Sequence, residues 1–233
     1  MLSRGPAAMD PTTNSESATV NTHSIGRKNK YIRPSWVPPL PPPDPSLPPI
    51  PYSNSYWATR TLLAAEYPGA LEPHIALPRL TAILSLGIRD FIDLTHPSEL
   101  VPYEPLIITA AENAGLDDEQ KASIIYQRFA IQDGGVPGQD TFNEIMTAIK
   151  ESQDAGRMAV VHCWGGIGRT GVIVGSWLIM SGVVKNGDEA LVYLAEKWKG
   201  VEKNWRCPTT PETQIQFDFL KGPTASNTVH SAF

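Results

Sequence analysis

Cysteine is scarce in this chain of 233 residues: Cys163 and Cys207 are the whole complement. Two thiols cannot build a disulfide framework and are too few for a structural zinc site. Long apolar runs are missing as well. The longest, Gly171 to Gly182, is too short to span a bilayer and is interrupted by Ser176 and Ser181. The first residues, Met1 to Pro6, lack the apolar core of a secretory signal, and acidic residues further on speak against a mitochondrial leader. Excess positive charge is absent too. Residues 1–51 hold five basic and three acidic side chains, which leaves 14 basic against 21 acidic, net −7, for residues 52–233. So acidic a folded part is a poor general binder of nucleic acid or of anionic membrane, and neither is expected as a partner. The expected location is the cytoplasm or the nucleus.

Proline, by contrast, is abundant, and it is concentrated between Pro34 and Pro51. A stretch that cannot donate to helix or sheet ladders and has little apolar surface does not offset its ordering entropy. Residues 1–51 are therefore expected to be a disordered tail with polyproline II character near the domain. Spacings such as Pro39-x-x-Pro42 suit the aromatic groove of an SH3- or WW-type partner; a spacer, or a strap over the domain surface, is the plainer reading.

Residues 52–222 read as one catalytic-sized domain, with a flexible C-terminus at 223–233. An edge strand is expected at Leu62–Ala65. Pro78 suits a first helical position, with Gly87 as terminator, and Ile88–Leu94 reads as a buried strand. Leu106–Gly115 looks helical, and a strand is expected through Ile124-Ile125-Tyr126. Phe142, Ile145, Met146 and Ile149 share a helical face and lead to a strand at Met158–Val161. Gly171–Met180 is apolar nearly all round, hence a buried helix. Asn186 with Glu189 suggests a capping box for the next helix, and Thr210-Pro211 is read as the start of the last. Strands alternating with helices predict an α/β fold with a central, mostly parallel sheet flanked by helices, in which ligands sit at the carboxyl ends of strands.

Cys163 falls at such an end. It closes the apolar run Ala159-Val160-Val161-His162 and is followed by Trp164-Gly165-Gly166-Ile167-Gly168-Arg169-Thr170-Gly171, a glycine-rich turn that opens the buried helix. The helix N-terminus, converging backbone N–H groups from Trp164 to Arg169, and the Arg169 guanidinium all favour a thiolate over a thiol. The same amides can form an anion nest, and Arg169 has the planar fork to hold two phosphoryl oxygens. Thr170 can place a hydroxyl near the sulfur. Phosphate monoesters hydrolyse so slowly that a strong nucleophile, stabilised equatorial oxygens and a proton for the leaving group are all required. Leaving-group protonation needs a carboxylic acid on a mobile loop. Asp133, in Ile131-Gln132-Asp133-Gly134-Gly135-Val136-Pro137, fits, whereas Asp140 reads as a first-turn residue of the helix that follows.

His162-Cys163-x5-Arg169-Thr170-Gly171 resembles the signature of the cysteine-based protein tyrosine phosphatases. The stretch from about Ser55 to Leu220 looks like the small, dual-specificity branch of that superfamily, including Tyr56-Trp57, Glu66-Tyr67-Pro68-Gly69 and Asp93-Leu94-Thr95. The resemblance implies the protein tyrosine phosphatase fold and a two-step reaction through a phosphocysteine, with no metal or cofactor. It implies that Cys163 is nucleophile, Arg169 the phosphate clamp, Asp133 the acid, and Trp164, Gly165, Gly166, Ile167 and Gly168 the cradle. His162 would tune the thiolate from behind. Relatives often position the attacking water with glutamines in a Gln-Thr-x-x-Gln pattern; this chain reads Glu212-Thr213-Gln214-Ile215-Gln216, so only Gln216 carries over.

The turn between Cys163 and Arg169 holds no lysine, unlike many relatives that act on polyphosphorylated lipids, which points to phosphotyrosine, and also phosphoserine or phosphothreonine, in a phosphoprotein substrate. The alternatives are a non-protein phosphoester (phosphoinositide, inositol phosphate, nucleotide or RNA 5′-phosphate) and a scaffold that only recognises phosphate. Cys207 reads as a free loop cysteine or as a resolving thiol. Lys197, Lys199, Lys203 and Arg206, interleaved with Trp198 and Trp205, read as a solvated face or as a basic rim to the pocket.

Overall fold

A computed structural model describes residues 37–222. Parallel strands need crossovers, and the helices that make them cover both faces of the sheet. The chain runs β1 (Ser55–Trp57), β2 (Leu62–Ala65), α1 (Pro73–Ser85), β3 (Ile88–Asp93), α2 (Ile107–Asn113), α3 (Asp118–Ala122), β4 (Ile125–Arg128), α4 (Gln139–Asp154), β5 (Met158–His162), α5 (Gly168–Met180), α6 (Gly187–Trp198) and α7 (Gln214–Lys221). The five strands lie in the order β1-β2-β5-β3-β4, with only β1–β2 antiparallel. This is the expected α/β architecture with a mostly parallel sheet.

Two apolar layers sandwich the sheet. On one side α1 and α2 bring Leu80, Ile83, Leu84, Ile107 and Ala110 against Leu63, Phe91 and Val160. On the other, Phe142, Ile145 and Ile149 of α4 pack with Ile173, Val174 and Leu178 of α5 over Leu62, Ile92 and Val161. Every residue of α5 is buried, which explains its apolar surface all round. β5 pairs on both edges, so Ala65, His162 and Asp93, at the ends of β2, β5 and β3, stand in register. The loops that follow β2 and β3 are tied to the end of β5, Tyr67 N donating to the Trp164 carbonyl and Leu94 N to that of His162.

Several boundaries differ from expectation. Leu62–Ala65 is not an edge strand: it is buried throughout and pairs with both β1 and β5, and β1 forms the edge. The first helix starts at Pro73, and Pro78 lies inside it. Proline at the first position suits the unpartnered N–H groups there, while the second proline gives up one ladder bond. Thr210-Pro211 belongs to a loop; α7 starts at Gln214, where Thr213 and Gln216 form the capping box. At α6, Asn186 Oδ1 accepts from Glu189 N, but the Glu189 carboxylate accepts from Lys185 N, one residue before the position a capping box requires. The five-residue α3, unanticipated, is capped by Asp117 and Gln120.

The expected tail and C-terminus lie, for residues 1–36 and 223–233, outside the described residues. Residues 37–51 carry no helix or strand and lie against the domain. The Pro49 carbonyl accepts from Trp57 Nε1 at 3.1 Å, the Ser46 carbonyl accepts from Arg60, and Asp44 stands 3.9 Å from Lys197 Nζ.

Candidate active site

The turn that links β5 to α5 is shaped by close backbone contact. Gly166 has φ +68°, and a Cβ there would meet the Ala65 carbonyl and Glu66 N at about 2.5 Å, so only glycine fits. The Trp164 carbonyl accepts from Tyr67 N at 3.0 Å, which ties the turn to the loop after β2. Cys163 is 3% exposed at the floor, and Trp164, at 36%, is the turn's outermost side chain.

Arg169 is 1% exposed and nearly saturated with acceptors. Glu99 grips it from both prongs, Nη1–Oε2 at 2.7 Å and Nη2–Oε1 at 2.6 Å. Nη1 also donates to the Ile131 carbonyl at 3.0 Å, and Nη2 to Asp133 Oδ1 at 2.8 Å. Of the five guanidinium donors, Nε–H alone is buried without a partner. Burial opposes the charge on Arg169, yet the hydrogen bonds and charges of Glu99, with Cys163 and Asp133, raise its pKa from an already high value. The clamp is thus permanently cationic. Burial likewise opposes ionisation of Glu99, but Arg169 and the His96 N–H hold its pKa below the usual carboxylate value of 4.5.

Asp133, two-thirds exposed, reaches the clamp from its loop. Asp140 sits in the first turn of α4, as expected.

His162, which immediately precedes Cys163, is fully buried. Its Nε2 shares a 2.7 Å hydrogen bond with Tyr103 Oη. Burial pushes the Tyr103 phenol well above its ordinary pKa, so the phenol keeps its proton and donates. The imidazole proton then sits on Nδ1, facing Asp93 Oδ1 at 3.8 Å and the Cys163 backbone. Burial lowers the His162 pKa from 6.5 despite Asp93, so the ring is neutral, not a base in waiting. Asp93 is held by Thr95 N and Oγ1 at 2.8 and 2.7 Å, Tyr126 Oη at 2.8 Å and Arg128 Nε at 3.2 Å.

Other expected residues fall differently. Thr170 is buried, but its Oγ1 makes no hydrogen bond, to the sulfur or to any other atom. Gln216 lies beside the cradle, where a Cβ on Gly168 would meet its amide at 2.7 Å. Its amide is engaged in loop structure: Oε1 accepts from Glu212 N and Thr213 N, and Nε2 donates to the Gly135 carbonyl at 2.9 Å. Gln216 therefore pins the Asp133 loop to α7. Cys207 is a free, half-buried cysteine packed on the core, its carbonyl accepting from Trp198 Nε1 at 2.6 Å. The supposed basic rim is not a unit. Trp198 is core, stacked edge-on to Tyr56; Lys199 pairs with Glu196; Lys203 is buried on Glu66 and the Gly165 carbonyl. Glu99 has no sequence signature beyond being an acidic residue shortly after the strand Ile88–Leu94.

A buried cysteine directly follows a strand, and a glycine-bearing turn leads from it to a buried arginine at the start of the next helix. A family model described as "Polymorphic toxin system, DSP-PTPase phosphatase" matches residues 73–183. The chain is similar to protein tyrosine phosphatase domain-containing protein 1 of Bos taurus, 26% identical over 146 residues, which are 61% of this chain and 18% of that protein. The chain thus spans about a fifth of the length of this curated relative. Among solved structures, Tk-PTP in the active form superposes with a TM-score of 0.55 at 18% identity, covering 78% of this chain and 99% of that one. PTPMT1 in complex with PI(5)P gives 0.55 at 17% identity, covering 77% and 99%. By the family model and by its fold the chain is similar to the cysteine-based protein tyrosine phosphatases of the dual-specificity branch.

The buried charges make stability depend on pH in one direction. Asp93 and Glu99 have folded pKa values below their ordinary 3.8 and 4.5, and His162 lies below 6.5. In each case the unfolded chain binds more protons, so stability falls on acidification. The loss begins as pH drops through about 6.5, where the unfolded His162 charges, and steepens below about 4.5 as the carboxylates protonate. Urea unfolding between pH 8 and pH 4 is expected to show midpoints that decline monotonically toward acid; a maximum near pH 5 would contradict these assignments.

Proposed function

We propose that this chain is a metal-independent phosphatase that hydrolyses phosphotyrosine, and also phosphoserine or phosphothreonine, in proteins through a phosphocysteine intermediate. The observation that carries the reading is that Asp133, from its own loop, reaches Arg169 at 2.8 Å, while Arg169 also interacts electrostatically with Cys163. The cradle amides and Arg169 Nε hold the phosphoryl oxygens while the Cys163 thiolate attacks phosphorus in line and the P–O bond to the leaving group breaks. Incoming phosphate displaces Asp133 from Nη2, and Asp133 in its acid form gives its proton to the leaving oxygen. Water then attacks the phosphocysteine, releasing inorganic phosphate and restoring the thiolate, with Asp133 taking the water's proton. Gln216 contributes by fixing the Asp133 loop through Gly135, a role its engaged amide supports better than direct handling of water.

Protein phosphoesters are favoured by the lysine-free turn and by the exposed Trp164 beside the nucleophile, an aromatic face suited to a phenyl ring. A second reading, a phosphoinositide or inositol phosphate substrate, is supported by the likeness in fold to PTPMT1 in complex with PI(5)P. A panel of phosphopeptides, phosphoinositides and inositol phosphates assayed side by side separates the two: higher kcat/KM on phosphopeptides supports the first, higher on inositides the second. A cytoplasmic or nuclear location, and an SH3- or WW-type partner for the proline-rich tail, complete the proposal.

Cys163→Ser is expected to abolish turnover of a chromogenic aryl phosphate, assayed with chelator and reductant, while inorganic tungstate still binds. Persistent turnover would reject the mechanism. For Asp133→Ala the expected loss is about 10²–10⁴-fold for alkyl or unactivated aryl leaving groups and much less for a nitrophenolate. An equal loss for both would point to another acid.

A further inference from the structure

A nest of backbone amides binds an anion only if its carbonyls face away, because each peptide that turns over replaces a donor with an acceptor. Three carbonyls of the turn after Cys163 are restrained from outside. That of Trp164 accepts from Tyr67 N at 3.0 Å, that of Ile167 from Thr210 Oγ1 at 2.8 Å, and that of Gly165 from Lys203 Nζ at 2.8 Å. The first two donors are neutral; the third is an ammonium only 5% exposed.

Lys203 is built into place from several sides. Its Nζ is paired with Glu66 Oε2, and Glu66 Oε1 stands 3.5 Å from Arg79 Nη2. Its backbone N–H donates to Asn54 Oδ1 at 3.2 Å, and the Asn54 carbonyl accepts from Glu66 N at 2.9 Å. Glu202 N donates to the Ser53 carbonyl at 2.9 Å, stitching the short 3₁₀ turn Glu202–Trp205 to the segment before β1. A buried ion pair is a poor source of stability, since desolvation offsets the Coulomb gain and an apolar pair of like volume would serve the packing as well. Its target is more telling. The Gly165 carbonyl belongs to the Gly165–Gly166 peptide, and across a trans peptide C=O and N–H point in opposite directions. Holding that oxygen outward turns the Gly166 N–H inward. A peptide flanked by two glycines is also the one most free to turn over.

We propose that Lys203, oriented by Glu66, is a positioning residue of the phosphate cradle: it locks the Gly165–Gly166 peptide so that the Gly166 N–H faces the bound phosphoryl group. The charge on Lys203 polarises that peptide and strengthens its donor, while Glu66 keeps the ammonium seated on the carbonyl. The proposal rests on the phosphatase reading for its role in turnover, but not for its role in anion binding.

Wild type, Lys203→Met, Lys203→Arg and Glu66→Gln are compared for kcat and KM on an aryl phosphate, for tungstate affinity by calorimetry, and for Tm. Loss of one aligned donor predicts that Lys203→Met lowers kcat about 10–100-fold with little change in KM, and weakens tungstate binding about tenfold. Lys203→Arg, which can reach the same carbonyl, is expected to recover much of both, and Glu66→Gln to show a smaller loss in the same direction. A lowered Tm for Lys203→Met with kcat and tungstate affinity per folded molecule unchanged would overturn the proposal. If Lys203→Met does not fold, Glu66→Gln decides: unchanged kcat and tungstate affinity overturn the proposal. Should wild type fail to turn over any phosphoester, the phosphatase reading falls, and tungstate affinity alone still decides whether Lys203 orders the cradle.

Discussion

A guanidinium that is 1% exposed is tolerable in a protein interior only with a carboxylate beside it, and Glu99 supplies one in two-pronged geometry. This pair aims Arg169 across the loops that leave β3, β4 and β5. The Ile131 carbonyl accepts from the same group, so the path of the Asp133 loop is set by the clamp it serves. Arg169 and Asp133 are therefore joined to each other. Cys163 follows β5, whose pairing on both edges leaves its end little freedom.

Around this core the site is held by contacts that never touch the reacting atoms. Tyr103 and Asp93 bracket a neutral His162, the residue before Cys163. Gln216 fastens Gly135, and Tyr67, Thr210 and Lys203 restrain the cradle's carbonyls from three directions. The division of labour is physical. Arg169, Glu99 and Asp133 form one charged cluster, and separate buried hydrogen bonds hold His162 and the carbonyls of the turn.

What the sequence made legible follows from this division. Cys163, the glycine turn and Arg169 are contiguous, and Asp133 advertises itself by a Gly-Gly-x-Pro loop, so local pattern sufficed. The buried α5 was equally plain, because a helix apolar on every side has nowhere else to go. Glu99 and Lys203 were not legible, since each works through a partner some 70 or 38 residues away, and nothing nearby distinguishes them from solvated charges. Lys203 was misread for a related reason. It was grouped with its sequence neighbours Lys197 and Lys199, but the 3₁₀ turn Glu202–Trp205 carries it inward while Lys199 stays outside. The edge falls on β1 rather than on Leu62–Ala65, and a three-residue strand is too short to carry a period-2 pattern.

The central claim is that the thiol of Cys163, seated in this cradle, takes the phosphoryl group itself. Acid quenching of an aryl phosphate reaction within one turnover, followed by peptide mass spectrometry, tests it most directly. The account predicts a phosphoryl adduct on the peptide that contains Cys163, accumulating when Asp133→Ala slows the second step. Turnover with no adduct on that peptide, or with the adduct on another residue, would contradict it.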